Sequence, residues 1–96
     1  MTVAIGDLLC RELVARGFII DASGALVSPH EGGIHLSPTL VPTIGQLTEL
    51  LDVMIVRRER IGCSAGDVGV EIAQRNFDDT VHIVEAIKAV LAELAS

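Results

Sequence analysis

Hydrophobic positions recur at helical spacing near both ends of the chain and in its middle. The first such stretch covers residues 2–16. The second starts at a capping box formed by Thr43 and Gln46, in which each residue satisfies backbone N–H groups at the helix start. The third follows Asn76 or Asp78, either of which is a suitable N-cap. The pattern therefore predicts three amphipathic helices.

Short apolar runs bounded by turn residues predict the strands. Residues 18–20 and 25–27 flank a turn that ends in Gly24, which is typical of a β-hairpin. Residues 34–37 and 68–73 predict a third and a fourth strand, and the Gly-rich segment 62–67 between helix and strand reads as a turn. We therefore expect an α+β fold in one domain, with a small, mostly antiparallel sheet and helices packed on one face in two layers.

A weak internal repeat supports this order of elements. Residues 33–55 and residues 69–91 share two identities, a glycine and a glutamate, and several matched apolar positions at an offset of 36 residues. Each copy predicts a strand, a polar connection and an amphipathic helix. The identities are too few to separate duplication from coincidence.

The middle helix is apolar on more than one side. Additional apolar side chains widen its regular stripe until the apolar surface almost surrounds the helix. We predict that these side chains form an interface: Leu50, Val53, Ile55 and Val56. A helix of this kind packs on its own domain and on a neighbour. The alternative is a β-strand over residues 53–56, because β-branched side chains are dense there.

Composition also favours self-association. The chain has 96 residues, of which 50% are hydrophobic, and its mean hydropathy is +0.55. A domain of this size buries only somewhat more than about 60% of its unfolded surface, so part of this apolar content remains to be covered. A second copy of the same chain is the expected partner, giving a dimer or a higher oligomer.

Charge and residue usage exclude other classes of partner. Thirteen acidic and seven basic side chains give a net charge of −6, and Trp and Tyr are absent. An acidic surface without these aromatic platforms does not suit nucleic acid. The longest apolar run is too short to cross a bilayer, and the first residues do not resemble a signal peptide. We expect a soluble, cytoplasmic protein that needs no cofactor.

Three residues in one connecting segment form the first candidate binding group. His30, Glu31 and His35 follow the spacing His-Glu-x-x-x-His, one residue longer than the zinc-protease pattern and outside a helix. No third ligand is evident, so a polar loop with a strand histidine is the preferred interpretation and no metal is expected.

Two further groups are weaker candidates. Arg57 and Arg58, with Arg60, could hold an anion, although such a cluster more often occupies a solvated helix end. Cys63 lies in the Gly-rich segment, where a free thiol is the ordinary interpretation, and neither it nor Cys10 requires a disulfide. No spacing places Cys63 beside a base that would make it a nucleophile.

Three segments follow one another along the chain: a helix that ends in an Arg-Gly pair and leads into strands (residues 8–20), a Gly-x-x-Leu-Ser strand (residues 33–38) and a threonine-capped helix (residues 43–54). Together they resemble the C-terminal small domain of fold-type I pyridoxal-phosphate aminotransferases. The resemblance covers about half of the chain and implies a local architecture. His35 stands where the family has its substrate-carboxylate arginine, and the only lysine, Lys88, lies in the last helix. The resemblance therefore does not imply catalysis.

The sequence thus predicts a non-catalytic, oligomeric binding or protein-interaction module. One alternative is an enzyme or enzyme subunit acting through His30, Glu31, His35 and Cys63, and another is a stand-alone piece similar to an aminotransferase small domain. A regulatory partner of a different, basic protein is also consistent with the acidic surface.

Overall fold

The computed structural model describes residues 4–29, 34–37, 41, 43–68 and 70–95, with the backbone alone for 62–68 and 70–73. Three helices and three short strands follow one another along these residues: α1 (Ile5–Ala15), β1 (Ile19–Ile20), β2 (Leu26–Val27), β3 (His35–Leu36), α2 (Ile44–Val68) and α3 (Val70–Ala95). The predicted α+β class is confirmed, with helix as the main component.

The strands form one antiparallel sheet in the order β1-β2-β3. Ile20 pairs with Leu26 across the hairpin, and Leu26 pairs with Leu36 on its other side. Leu26 is buried, and β2 packs against α1. The hairpin and the third strand are therefore confirmed where the turn residues and the apolar runs predicted them.

Backbone hydrogen bonds explain why α1 ends where it does. Phe18 donates its N–H to the carbonyl of Leu13, and Gly17 donates to that of Val14, each at 3.0 Å. This is the Schellman arrangement, which places its C′ residue at positive φ. Gly17 has a φ of 102°, which an L side chain rarely adopts, so the glycine sets the turn into the sheet.

The hairpin turn is closed by an aspartate. One carboxylate oxygen of Asp21 accepts hydrogen bonds from the N–H and the hydroxyl of Ser23 at 2.9 and 2.6 Å, and from the N–H of Ala25 at 3.1 Å. Gly24 takes the positive φ of 87° that the turn needs. The sequence Asp-Ala-Ser-Gly thus specifies the turn locally.

The predicted start of α2 at Thr43 is confirmed, with Thr43 forming its half of the capping box. The Thr43 hydroxyl oxygen accepts a hydrogen bond from the Gln46 N–H at 3.1 Å, and the two side chains are in contact at 3.3 Å. The helix continues without a break from Ile44 to Val68, so the alternative of a strand over residues 53–56 is wrong.

Three expectations for the second half of the chain are wrong. Residues 62–67 belong to α2 and not to a turn, residues 70–73 belong to α3 and not to a fourth strand, and α3 begins at Val70, before Asn76 and Asp78. β-Propensity depends on packing against neighbouring strands, while Ala, Glu and Gln between residues 65 and 74 favour helix. The strand–connection–helix order of the internal repeat is therefore lost in its second copy.

Two polar residues that predicted a cap instead form bonds inside α3. The Thr80 hydroxyl donates to the carbonyl of Asn76 at 2.7 Å, and the amide of Gln74 donates to Asp78 at 3.0 Å. Both bonds join residues four apart on one helix face. The Gln74–Asp78 side-chain pair supports the helix, and the Thr80 bond gives a buried hydroxyl a partner within the helix.

α3 is the centre of the packing. A continuous helix from residue 44 to 95 would be about 78 Å long, whereas the longest dimension of the molecule is 47 Å, so α3 folds back along α2. α2 and α1 both pack against α3. The core combines one face of α1 with parts of α2, α3 and the sheet: Leu8, Leu9, Leu13, Phe18, Leu26, Ile34, Val41, Leu47, Met54, Ile83, Val84, Ala86, Ile87 and Val90.

Within the residues described, none of the three helices has both the length and the apolar composition required to cross a membrane.

Candidate functional site

α2 has two faces with different surroundings. Leu47 and Met54 are buried and belong to the core that α3 shares. Val53 and Val56 point away from it and are 58% and 45% exposed. Large apolar side chains with this exposure, on a helix that is already packed on one side, mark a surface that another molecule can cover.

Two shallow grooves meet on this exposed side. One has a volume of about 470 Å³, and the other, of about 320 Å³, runs between α2 and the end of β3. Val53 lines both. The first groove is otherwise lined by Asp52, Val56, Arg57 and Arg60, and the second by Leu36, Ser37, Val41, Gln46, Glu49 and Leu50.

The lining residues on α2 follow a regular spacing. Gln46, Glu49, Val53, Val56 and Arg60 are separated by alternating steps of three and four residues and are all exposed. This spacing keeps side chains on one narrow stripe of a helix, the stripe through which two helices pack against each other. We call these five residues the outer seam.

Charge is segregated along this side of α2. Glu49 and Asp52 lie toward its N-terminal end, and Arg57 and Arg60 lie about two turns further on. None of the ion pairs found among the described residues involves these four side chains. Two acidic and two basic groups leave the face without net charge, whereas the whole chain carries −6.

The four residues predicted as an interface occupy three environments. Val53 and Val56 lie on the outer seam. Leu50 and Ile55 are half-buried and pack against the core, and Leu50 also lines the second groove. The sequence pattern did not separate these environments, because an apolar stripe of this width covers both faces of one helix.

The residues predicted as binding groups lie apart. Arg57 lines the first groove, whereas Arg58 is half-buried and points to a different side of α2, about 100° away around the helix. His35 is exposed on β3. His30 and Glu31 lie outside the described residues, as does the side chain of Cys63, whose backbone is part of α2.

His35 has one electrostatic effect on its surroundings. The pKa of Asp21 is held below its ordinary value, first by the hydroxyl hydrogen bond from Ser23, then by backbone N–H donors, and to a smaller extent by the charge of His35. These contacts stabilise the ionised carboxylate in the hairpin turn. They explain a tight turn and supply no reactive group.

A cluster of charged residues joins α1 to α3. Arg11 contacts both Glu12 and Glu93, and Arg16 donates to Glu12 at 2.8 Å. The hydrogen bonds from Arg16 and then Arg11 lower the pKa of the Glu12 carboxyl, and the bonds to Glu93 and Glu12 raise the pKa of Arg11. Every charge here has a partner, which indicates a structural contact between the two helices.

α3 contains two polar atoms that sequence reasoning did not single out. Asp79 is 1% exposed, and its Oδ2 atom has no hydrogen-bond partner; the Nδ1 atom of His82, one turn further on, also has none. Buried polar groups without partners cost folding free energy. Among the described residues, no group of three or more His, Cys, Asp or Glu side chains is placed to hold a metal ion.

Comparison with protein-family models, with curated proteins and with solved structures finds no match to this chain. The resemblance to the aminotransferase small domain therefore stays a prediction, and the candidate function is argued from the geometry of α2.

Proposed function

We propose that the chain is a non-catalytic protein-interaction module that assembles with a second copy of itself through the outer seam of α2. The observation that carries the proposal is the exposure of Val53 and Val56 in the middle of a helix whose opposite face is packed in the core. The two grooves beside them give the surface a shape into which side chains of a partner can fit.

Burial of the exposed apolar side chains of α2 favours this assembly. Full burial of a valine or leucine side chain is favourable by about 1.5–3 kcal/mol. In a symmetric dimer each contact occurs twice, so Val53, Val56 and the half-buried Leu50 together contribute six side chains. Each gains only the fraction that is still exposed, 58% for Val53 and 45% for Val56. Part of this gain offsets the loss of rotational and translational freedom on association.

We propose that the protein works in the cytoplasm. Cys10 is a free thiol, which suits a reducing compartment. The partner that we propose is another protein surface. Neither a cofactor nor a nucleic acid is part of the proposal.

The test is a matched pair of charge insertions. Val53→Asp places a carboxylate on the outer seam, and Val14→Asp places one on a similarly exposed valine of α1, away from it. We expect the unmodified chain and the Val14→Asp variant to form dimers by size-exclusion chromatography with light scattering, and Val53→Asp to be monomeric. Circular dichroism would confirm that all three proteins are equally helical.

Two results would contradict the proposal. An unmodified chain that stays monomeric at the highest concentration examined would remove its basis. If the Val53→Asp variant is still a dimer, the interface lies outside the outer seam. An Ile20→Asp variant would then test whether the exposed strand β1 forms it.

A further inference from the structure

We propose that the two copies pair their α2 helices antiparallel, about a two-fold axis that passes between positions 54 and 55. This inference rests on the proposed function and specifies the partner surface and its register. It follows from the order of apolar, acidic and basic residues along the outer seam.

The spacing of the seam fixes which residues meet. In a symmetric antiparallel pair of helices, residue numbers that face each other have a constant sum. Around this axis that sum is 109, which places Val53 opposite Val56 of the second copy and Glu49 opposite Arg60 of the second copy. The alternating steps of three and four residues bring these positions into successive layers between the helices.

The resulting interface has an apolar centre and charged ends. By symmetry, two layers of paired valines lie at the middle and one Glu–Arg layer lies on each side of them. The distance from Glu49 to Arg60 along the helix is about 17 Å, so these four layers span about three turns. Glu49 and Arg60 have no ion-pair partner among the described residues of their own chain, so both are available.

A parallel arrangement gives the opposite electrostatics. It would place Glu49 against Glu49 and Arg60 against Arg60, and like charges that face each other across an interface weaken association. The antiparallel register converts both of these layers into attractive pairs without changing the apolar centre. Charge order along α2 therefore selects the direction of pairing.

The second groove accommodates a flanking residue of the second copy. In the antiparallel register, Arg57 of the second copy runs alongside Leu50, where Leu36 and Val41 form the wall of the groove. Its aliphatic part can cover this apolar surface while the guanidinium group remains in water. On the opposite border Asp52 approaches Glu59 of the second copy; both are exposed, so solvent and salt screen this repulsion.

The same charge order argues against other partners. A partner of one charge sign would meet attraction at one half of the face and repulsion at the other. A second copy presents both signs in reverse order, which is the self-complementarity that an isologous two-fold interface requires. The charges of Glu49, Asp52, Arg57 and Arg60 cancel, so the screened approach of Asp52 to Glu59 is the repulsive contact at this face, although each chain carries a net charge of −6.

The experiment exploits this register through charge reversal. Glu49→Arg gives a chain with arginine at both charged layers, and Arg60→Glu gives a chain with glutamate at both. Each variant alone should dissociate at least about tenfold more readily than the unmodified chain, equivalent to about 1.4 kcal/mol. An equimolar mixture should recover the original affinity as a heterodimer, and so should the double variant E49R/R60E. Analytical ultracentrifugation measures all four samples, with Glu85→Arg on the exposed side of α3 as the control reversal.

The outcomes separate this inference from the proposed function. Weak self-association of both single variants together with recovery in the mixture supports the antiparallel register. A dimer whose affinity the single reversals leave unchanged would overturn the register and retain the interface at the outer seam. A monomeric unmodified chain would overturn the proposed function and the register together.

Discussion

α2 and α3 are helices of 25 and 26 residues that pack against each other, yet they differ sharply in burial. α3 lies between α1 and α2, and among its described side chains (residues 74–95) seven are buried: Asp79, Thr80, Ile83, Val84, Ala86, Ile87 and Val90. α2 is packed on one side, and of its side chains described between residues 44 and 61 only Leu47 and Met54 are buried. The comparison shows that helices of similar length can serve as the core and as the exposed surface of one small fold.

The difference between the helices defines what each contributes. Truncating an apolar residue of α3 removes packing on a helix that is covered on two sides, so it should lower the free energy of unfolding. Truncating an apolar residue on the outer seam removes contacts that only a second molecule makes, so it should weaken the dimer. The following predictions test this division.

The largest expected effect is the loss of a buried isoleucine from α3. Ile87 is 0% exposed, and Ile87→Ala should lower the free energy of unfolding by about 2–5 kcal/mol. Ile44 at the start of α2 is 54% exposed, and Ile44→Ala should change it by no more than about 0.5 kcal/mol. Urea denaturation at low protein concentration measures both, and equal losses would contradict the division.

The next effect is a gain in stability at Asp79. Replacing this buried carboxyl by leucine removes an oxygen without a hydrogen-bond partner and retains the volume, so Asp79→Leu should stabilise the fold by about 1–3 kcal/mol. The neighbouring Asp78 accepts a hydrogen bond from Gln74, so Asp78→Leu is expected to give no such gain. Thermal denaturation followed by circular dichroism compares the two, and a loss of stability for Asp79→Leu would assign that carboxyl a stabilising contact.

A smaller loss is expected at the start of α2. Thr43→Ala removes the side chain that accepts the hydrogen bond from the Gln46 N–H and should cost about 1 kcal/mol. Thr48→Ala is the control, because the Thr48 hydroxyl donates only to a carbonyl that is already inside the helix. If the two variants lose the same stability, the capping box does not determine where α2 begins.

The smallest effect is the pH dependence of the contacts made by α1. The pKa of Glu12 lies below its ordinary value of 4.5, mainly because Arg16 donates a hydrogen bond to the carboxylate. The ionised form therefore stabilises the folded state above the unfolded pKa, and this contribution is lost as the pH falls through the folded pKa. Glu12→Gln should reduce the decline in stability in that acidic range. Denaturation curves for both proteins between neutral and acidic pH would show parallel declines if the pair contributed nothing.

Local signals in the sequence predicted much of the first half of the fold. Three of these signals act within a few residues and can be recognised without knowledge of the tertiary structure: Gly17, the Asp21 turn and the Thr43–Gln46 pair. The second half depends on long-range packing. Val68, Val70 and Ile72 alternate in the manner of a strand but lie within two long helices, and no local signal weighs helix packing against strand propensity.

The candidate site was only partly legible from the sequence. The apolar excess of α2 indicated Val53 and Val56, but the division between its core face and its exposed face required the position of α3. Glu49 was not singled out, and Arg60 was named only as part of a possible anion-binding cluster, although steps of three and four residues that link both to the two valines are visible in the sequence. An acidic residue before the two valines and a basic residue after them, at steps of three and four, is the signal that could have identified both residues.

The most direct test of the interface on α2 is a dilution series followed by two-dimensional ¹H–¹⁵N NMR. Dimer dissociation should move the amide resonances of the outer seam, from Gln46 to Arg60, while those of the buried positions in α3 remain in place. Shifts that are absent at every concentration, or confined to α1 and β1, would contradict the assignment of α2 as the interacting surface.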